Sequence, residues 1–217
     1  MGRAIALVAC VCAPVVAAAA ATPIPLQQPT GYRDYCDGMG KVAKRSCPRG
    51  CVPQRLWRQL SFPPVGPHGE CPVSKPHRIS KRFAPVLGSK PMYVGTYGSA
   101  GDYSAVEMPS PAPYGSPAYG TGWSITKILL TMRKELHQPL LIHGKRLDDA
   151  GWLGFSGPAG HRPFAAMQFP STRKGIDEGK FKAFGMGVWA TAPGCYGVQI
   201  DGKNFRRDVV FRVVFSS

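Results

Sequence analysis

The most regular alternation of apolar and polar positions in the chain lies near its end. In residues 208–215, Val209, Phe211, Val213 and Phe215 fall on one side at period two, while Val210, Arg212 and Val214 fall on the other. One side is a core face and the other is mixed, which suits an antiparallel strand whose second face meets solvent or a loop. Residues 195–200 form a second β-rich run. Between the two stands Asp201-Gly202-Lys203-Asn204, whose Asp-Gly supplies the positive-φ residues of a tight hairpin turn. This hairpin is expected to be the closing pair of a β-sandwich.

Upstream, short aromatic and β-branched runs recur between turn signals. Residues 91–97 and 103–108 flank Gly-Ser-Ala-Gly-Asp and read as a hairpin. Residues 123–133 place Ile128, Leu130 and Met132 on one face at strand spacing, and with 139–144 they read as two adjacent strands. The rival is one amphipathic helix over 124–137, ended by Pro139. Residues 152–155, 163–169 and 181–191 add further short, Gly-punctuated runs. Between the runs at 103–108 and 123–133, residues 108–122 (MPSPAPYGSPAYGTG) form a long surface loop, read either as an ordered crossover or as an exposed tyrosine platform. The whole predicts an all-β, antiparallel sandwich over residues 89–217.

The N-terminal third has a different texture. Residues 1–21 have an early Arg3, an apolar run and small residues before Thr22, the layout of a secretory signal peptide. Leu7-Val8-Ala9-Cys10 also resembles a lipobox, which would make Cys10 a lipid anchor; the alternative is that Cys10 and Cys12 are small apolar residues of the signal. Residues 22–35 are a Pro-rich linker. Residues 36–88 form a loop-rich arm holding Cys36, Cys47, Cys51 and Cys71, dense in Pro, Gly and charge. Such a segment buries little core alone, and in an oxidising compartment it is stapled by disulfides. With Cys195 the exported chain has five cysteines, so one thiol is left over. The expected clamp is Cys71 to Cys195, with Cys36 joined to Cys47 or Cys51. A thiolate zinc site is the lesser reading, because the spacing lacks paired short knuckles.

Charge narrows the partners. The full chain carries +15, and loss of Arg3 with the signal leaves 26 basic against 12 acidic residues. That balance favours an anionic envelope polymer, acidic polysaccharide, anionic lipid or acidic protein, or serves solubility alone. Nucleic acid is disfavoured, since the basic residues are spread along the chain without an aromatic-interleaved motif. Beyond the signal no apolar run reaches spanning length. The candidate anion-binding residues are Arg206, Arg207 and Arg212 on the terminal hairpin and Arg173 and Lys174, with Lys180 and Lys182, before a strand expected to lie beside it.

Catalytic nominations are thin. Gly154-Phe155-Ser156-Gly157 lacks the last glycine of a nucleophile elbow, since Pro158 follows. His68, His77, His137, His143 and His161 show no paired-ligand spacing, and His143 and His161 are assigned surface or turn roles. Asp148-Asp149 and Asp177-Glu178 read as turn acids that cap and solvate. No catalytic residue, metal ligand or cofactor is assigned. The function expected is a non-enzymatic binding or structural module of the cell envelope, with a secreted hydrolase as the alternative.

Three stretches carry a resemblance: LWRQLSFPPVGPHGECPVSK with KPMYVGTYG, then QPLLIHGKRLDDAG, and finally APGCYGVQIDGKNF followed by VVFRV. Here the chain resembles a group of secreted bacterial proteins of unknown function. The resemblance implies export and an immunoglobulin-like β-sandwich, and implies no activity. Asp149 departs from it, standing where glycine is expected after Leu-Asp.

Overall fold

The computed structural model describes residues 56, 58–66, 69–96, 101–157, 160, 162–169 and 175–217. The signal, the linker, Cys10, Cys36, Cys47, Cys51, Arg173 and Lys174 lie outside them.

Among the described residues eleven strands build two sheets, an all-β sandwich with no α-helix. They are β1 (Leu87–Ser89), β2 (Met92–Gly95), β3 (Ala105–Pro109), β4 (Ser124–Arg133), β5 (Leu140–Arg146), β6 (Leu153–Ser156), β7 (Ala166–Phe169), β8 (Ile176–Glu178), β9 (Phe181–Ala190), β10 (Gly194–Gly202) and β11 (Phe205–Ser216). The first sheet runs β1-β2-β4-β9-β6, with β8 also on β9, and the second runs β3-β11-β10-β5-β7. Every pairing is antiparallel save that of β3 with β11.

Between the sheets lies one core of inward residues, among them Ile128, Leu130 and Met186 from the first sheet and Tyr196, Val198, Phe211 and Val213 from the second. Val209, Phe211 and Val213 are buried as the alternation requires, whereas Val214 on the opposite face is exposed. Tyr196 enters this core with its hydroxyl donating to the Ala192 carbonyl at 2.6 Å, and burial pushes it up to about 12.

Several local expectations are corrected. The terminal hairpin is the centre of its sheet, and its turn is Lys203-Asn204, because Asp201 and Gly202 remain in β10, paired with Arg206 and Phe205. Gly202 is spared a side chain because the Phe205 ring lies where a Cβ would stand. Residues 91–97 and 103–108 do not form a hairpin: β2 pairs with β1 and β4, while β3 crosses to the other sheet. Likewise β4 and β5 lie in different sheets, and no helix replaces β4. A short linker between two runs thus marks a change of sheet here, which local pattern does not encode.

The described part of the arm crosses the outer face of the second sheet and then the first. Its course is fixed by Arg58 at the β10–β11 turn, by Ser61 N–H on the Gln199 side chain at 3.2 Å, and by a Cys71–Cys195 disulfide. Phe62 lies flat against Gly197, where a Cβ would meet its ring at 2.7 Å. Ser74 then exchanges hydrogen bonds with Val210, through its N–H to the carbonyl and through its hydroxyl to the amide, both at 2.9 Å. The mixed face of β11 is therefore covered around Val210 by chain from the arm, while Val214 on the same face stays exposed.

Candidate functional site

The feature best suited to hold a ligand is an open cleft of about 620 Å³ where the arm, the first sheet and β11 meet. It is lined by His77 and Ile79 of the arm, Ser89, Lys90 and Tyr93 of the β1–β2 hairpin, Phe181 of β9 and Arg207 of β11. No acidic residue is among them.

The position of each side chain follows from strand parity. Tyr93 and Phe181 point away from the sandwich core, since the inward positions of β2 and β4 are Met92, Val94, Leu130 and Met132. They pack edge to face with ring centroids 5.9 Å apart, and His77 packs on Tyr93 in the same way at 5.5 Å. Arg133, beside Phe181 in the register, lays its guanidinium 5.5 Å from that ring. Arg207 comes from the opposite sheet, donating through Nε to the Lys90 carbonyl at 2.5 Å and lying 5.6 Å from the Phe205 ring.

This aromatic floor is ringed by cations. The Tyr93 hydroxyl makes no hydrogen bond among the described residues; burial raises its pKa, with Arg133 and Arg207 pulling against that rise, so it stays a neutral donor. Among the described residues the Lys90 amine forms no ion pair. Chemically the arrangement offers a guanidinium, an ammonium, an imidazole and a phenol to one acceptor-rich group, beside apolar rings for its body.

Arg206 and Arg212 do not join it. Period two sends Arg206 and Arg212 to the opposite face of β11 from Arg207. Arg206 pairs with Asp208 at 3.3 Å and Arg212 with Asp102 at 2.8 Å. Burial raises the Asp208 carboxyl, against the pull of Arg206, and its Oδ1 is buried with no hydrogen-bond partner. Nor does the terminal hairpin lie beside β9, which carries Lys182 in the other sheet, so the single patch expected from adjacent strands is not assembled. Lys134, at that end of the first sheet, is 3.4 Å from Asp177.

A second polar cluster was not read from the sequence. His143, assigned a surface or turn role, is instead buried in β5, its Nε2 2.8 Å from the Asp201 carboxylate and 3.3 Å from the Gln199 amide. Arg58 closes the group from the arm, 3.3 Å from Asp201 and donating also to the carbonyls of Phe205, Gly202 and Lys203. The cluster faces covering chain, and none of its members lines the cleft. Ser156 is also enclosed, its hydroxyl accepting from Trp189 Nε1 at 2.9 Å. Among the described residues no group of three or more His, Cys, Asp or Glu side chains has metal-holding geometry.

No protein-family model and no curated protein matches the chain. Among solved structures it is similar to the CooA pilin subunit from enterotoxigenic Escherichia coli, with a TM-score of 0.31 and 11% identity over 57% of this chain and 97% of that one. It is also similar to the cupredoxin domain of amoB from Nitrosocaldus yellowstonii, with a TM-score of 0.26 and 13% identity over 64% of this chain and 91% of that one. Neither likeness assigns an activity.

Proposed function

We propose that the protein is an exported, non-catalytic binding module of the bacterial cell envelope, and that the cleft around Arg207 and Tyr93 receives an anionic group of its partner. The observation that carries this reading is the cleft's lining, in which Lys90, Arg207 and His77 surround a neutral phenol and no carboxylate opposes them. The excess of 26 basic over 12 acidic residues left after loss of the signal draws polyanions to the molecule at long range, and the cleft gives one phosphate, sulfate or carboxylate a place to dock. A disulfide joining residues 124 positions apart agrees with an oxidising compartment. No helix among the described residues is long and apolar enough to cross a membrane.

The absence of catalysis is part of the proposal. Of His143 and Asp201, the pair nearest to acid–base machinery, Asp201 holds the arm through Arg58, and Ser156 holds Trp189. The test is titration of the oxidised protein with inorganic polyphosphate and with polygalacturonate, followed through the side-chain resonances of Tyr93 and Phe181. Both should shift saturably and revert as salt is raised. Unmoved Tyr93 and Phe181 resonances at saturating polyanion would refute the assignment.

A further inference from the structure

We infer that the loop joining β3 to β4 is a second binding surface, built for a neutral polysaccharide. Its two rings, Tyr114 and Tyr119, are 89% and 56% exposed, the highest exposures among the large apolar side chains of the described residues apart from Ile176. They meet edge to face, with centroids 5.3 Å apart and planes at 79°, and form an aromatic corner. Neither hydroxyl has a hydrogen-bond partner among the described residues.

Two tyrosines on a floppy loop would mean little, but this loop is tied down at every step. Three backbone hydrogen bonds run from Ser116 to Pro113, from Tyr119 to Ser116 and from Thr121 to Ala118, and the Thr121 hydroxyl adds a fourth onto Ala118 at 2.7 Å. Gly115 and Gly120, each directly after a tyrosine, have φ of 83° and 67°, values that side-chain-bearing residues rarely adopt. Beneath the tip, Ala112 and Ala118 are buried on Trp123 and Trp189. The rings are thus displayed on a fixed mount, so little ordering entropy is lost when a ligand lands.

The chemistry of the loop selects the ligand. Residues 109–122 contain no Asp, Glu, Lys, Arg or His in a chain that has 27 basic and 12 acidic residues. A polyanion finds no cation there, and a charged peptide no counter-charge. A bilayer surface is served by basic residues beside Leu, Phe or Trp, and the loop has none of these. What it offers is two faces for the C–H side of sugar rings, with two phenols and the hydroxyls of Ser110, Ser116 and Thr121 at hand for sugar hydroxyls. The same end of the sandwich carries a third exposed ring, Trp152 at 54%. It precedes Leu153, and Leu153 and Ser124 both pair with Ala190, so the two strand starts are roughly 10 Å apart.

The experiment is affinity electrophoresis of the oxidised protein through gels containing dextran, mannan or hydroxyethylcellulose. At least one of these neutral polymers should retard the wild type. Y114A/Y119A should lose roughly tenfold or more in affinity, as expected for paired aromatic anchors, while R207E keeps it. As a check independent of substitution, the retarding polymer should protect Tyr114 and Tyr119 of the wild type from nitration. Absence of retardation by all three polymers would overturn the inference, as would equal retardation of the double variant, unprotected tyrosines, or attachment to phosphatidylcholine vesicles in place of glycan.

Discussion

Arg58 reaches 143 residues along the chain to the carboxylate of Asp201, which is fully buried, and fastens the arm to the end of the second sheet. The arginine itself is about one-third exposed, so its guanidinium is partly hydrated while its partner is not. Removing it leaves the Asp201 carboxylate with the Gln199 amide donating to it and the His143 ring beside it, but without its guanidinium. Arg58→Ala is therefore expected to lower stability by roughly 2–4 kcal/mol, and Arg58→Lys by less, since an ammonium keeps the charge but not the fork that serves three carbonyls. Urea unfolding of the three proteins measures this. An Arg58→Ala midpoint equal to the wild type would show that the contact is not a fastening.

The second fastening is covalent. Cys71 and Cys195 close a loop of 124 residues, and a crosslink of that span restricts the unfolded chain by about 4–5 kcal/mol on the loop-entropy account. The C71S/C195S variant should unfold at much lower urea than the oxidised wild type, yet match the wild type unfolded in reductant. Peptide mapping without reductant should recover the two cysteines together, and Cys195 found alkylated as a free thiol would contradict it.

Asp148 supplies a pH signature next to that bond. Burial opposes its ionisation, but the hydrogen bond from Arg146 at 2.7 Å, the Cys195 N–H at 3.0 Å and the Arg146 charge together hold its pKa below the ordinary carboxylate value. A group whose folded pKa is depressed stabilises fully above its unfolded pKa and ceases to do so as pH falls through the folded one. Asp148→Asn should thus cost about 1–3 kcal/mol at neutral pH, and its urea midpoint should converge on the wild type as pH drops below about 4. A gap that stays constant across that range would assign the loss to packing.

The sequence made some of this legible and hid the rest for identifiable reasons. Strand alternation exposed the core face of β11, because Val209, Phe211 and Val213 all face the opposite sheet. The same alternation already separates Arg206 from Arg207, and following it would have dissolved the expected patch. The cleft was not legible, because its lining comes from the arm, β1, β2, β9 and β11, brought together by topology alone. His143 was misplaced for a related reason. Gln199 is set opposite His143, and Asp201 diagonally to it, only through the β5–β10 register, and Arg58 comes from a segment with no periodicity to place it.

The central claim is that the cleft, rather than diffuse charge, holds the anion. The measurement that decides it is the salt concentration at which the oxidised protein leaves an immobilised polyphosphate column, compared among the wild type, K90E/R207E and R206E/R212E. Both variants change the net charge equally, but Lys90 and Arg207 line the cleft, whereas Arg206 and Arg212 lie on the other face beside Asp208 and Asp102. The account predicts that K90E/R207E elutes far earlier than the wild type, and R206E/R212E only slightly earlier. Equal displacement of the two variants would contradict it.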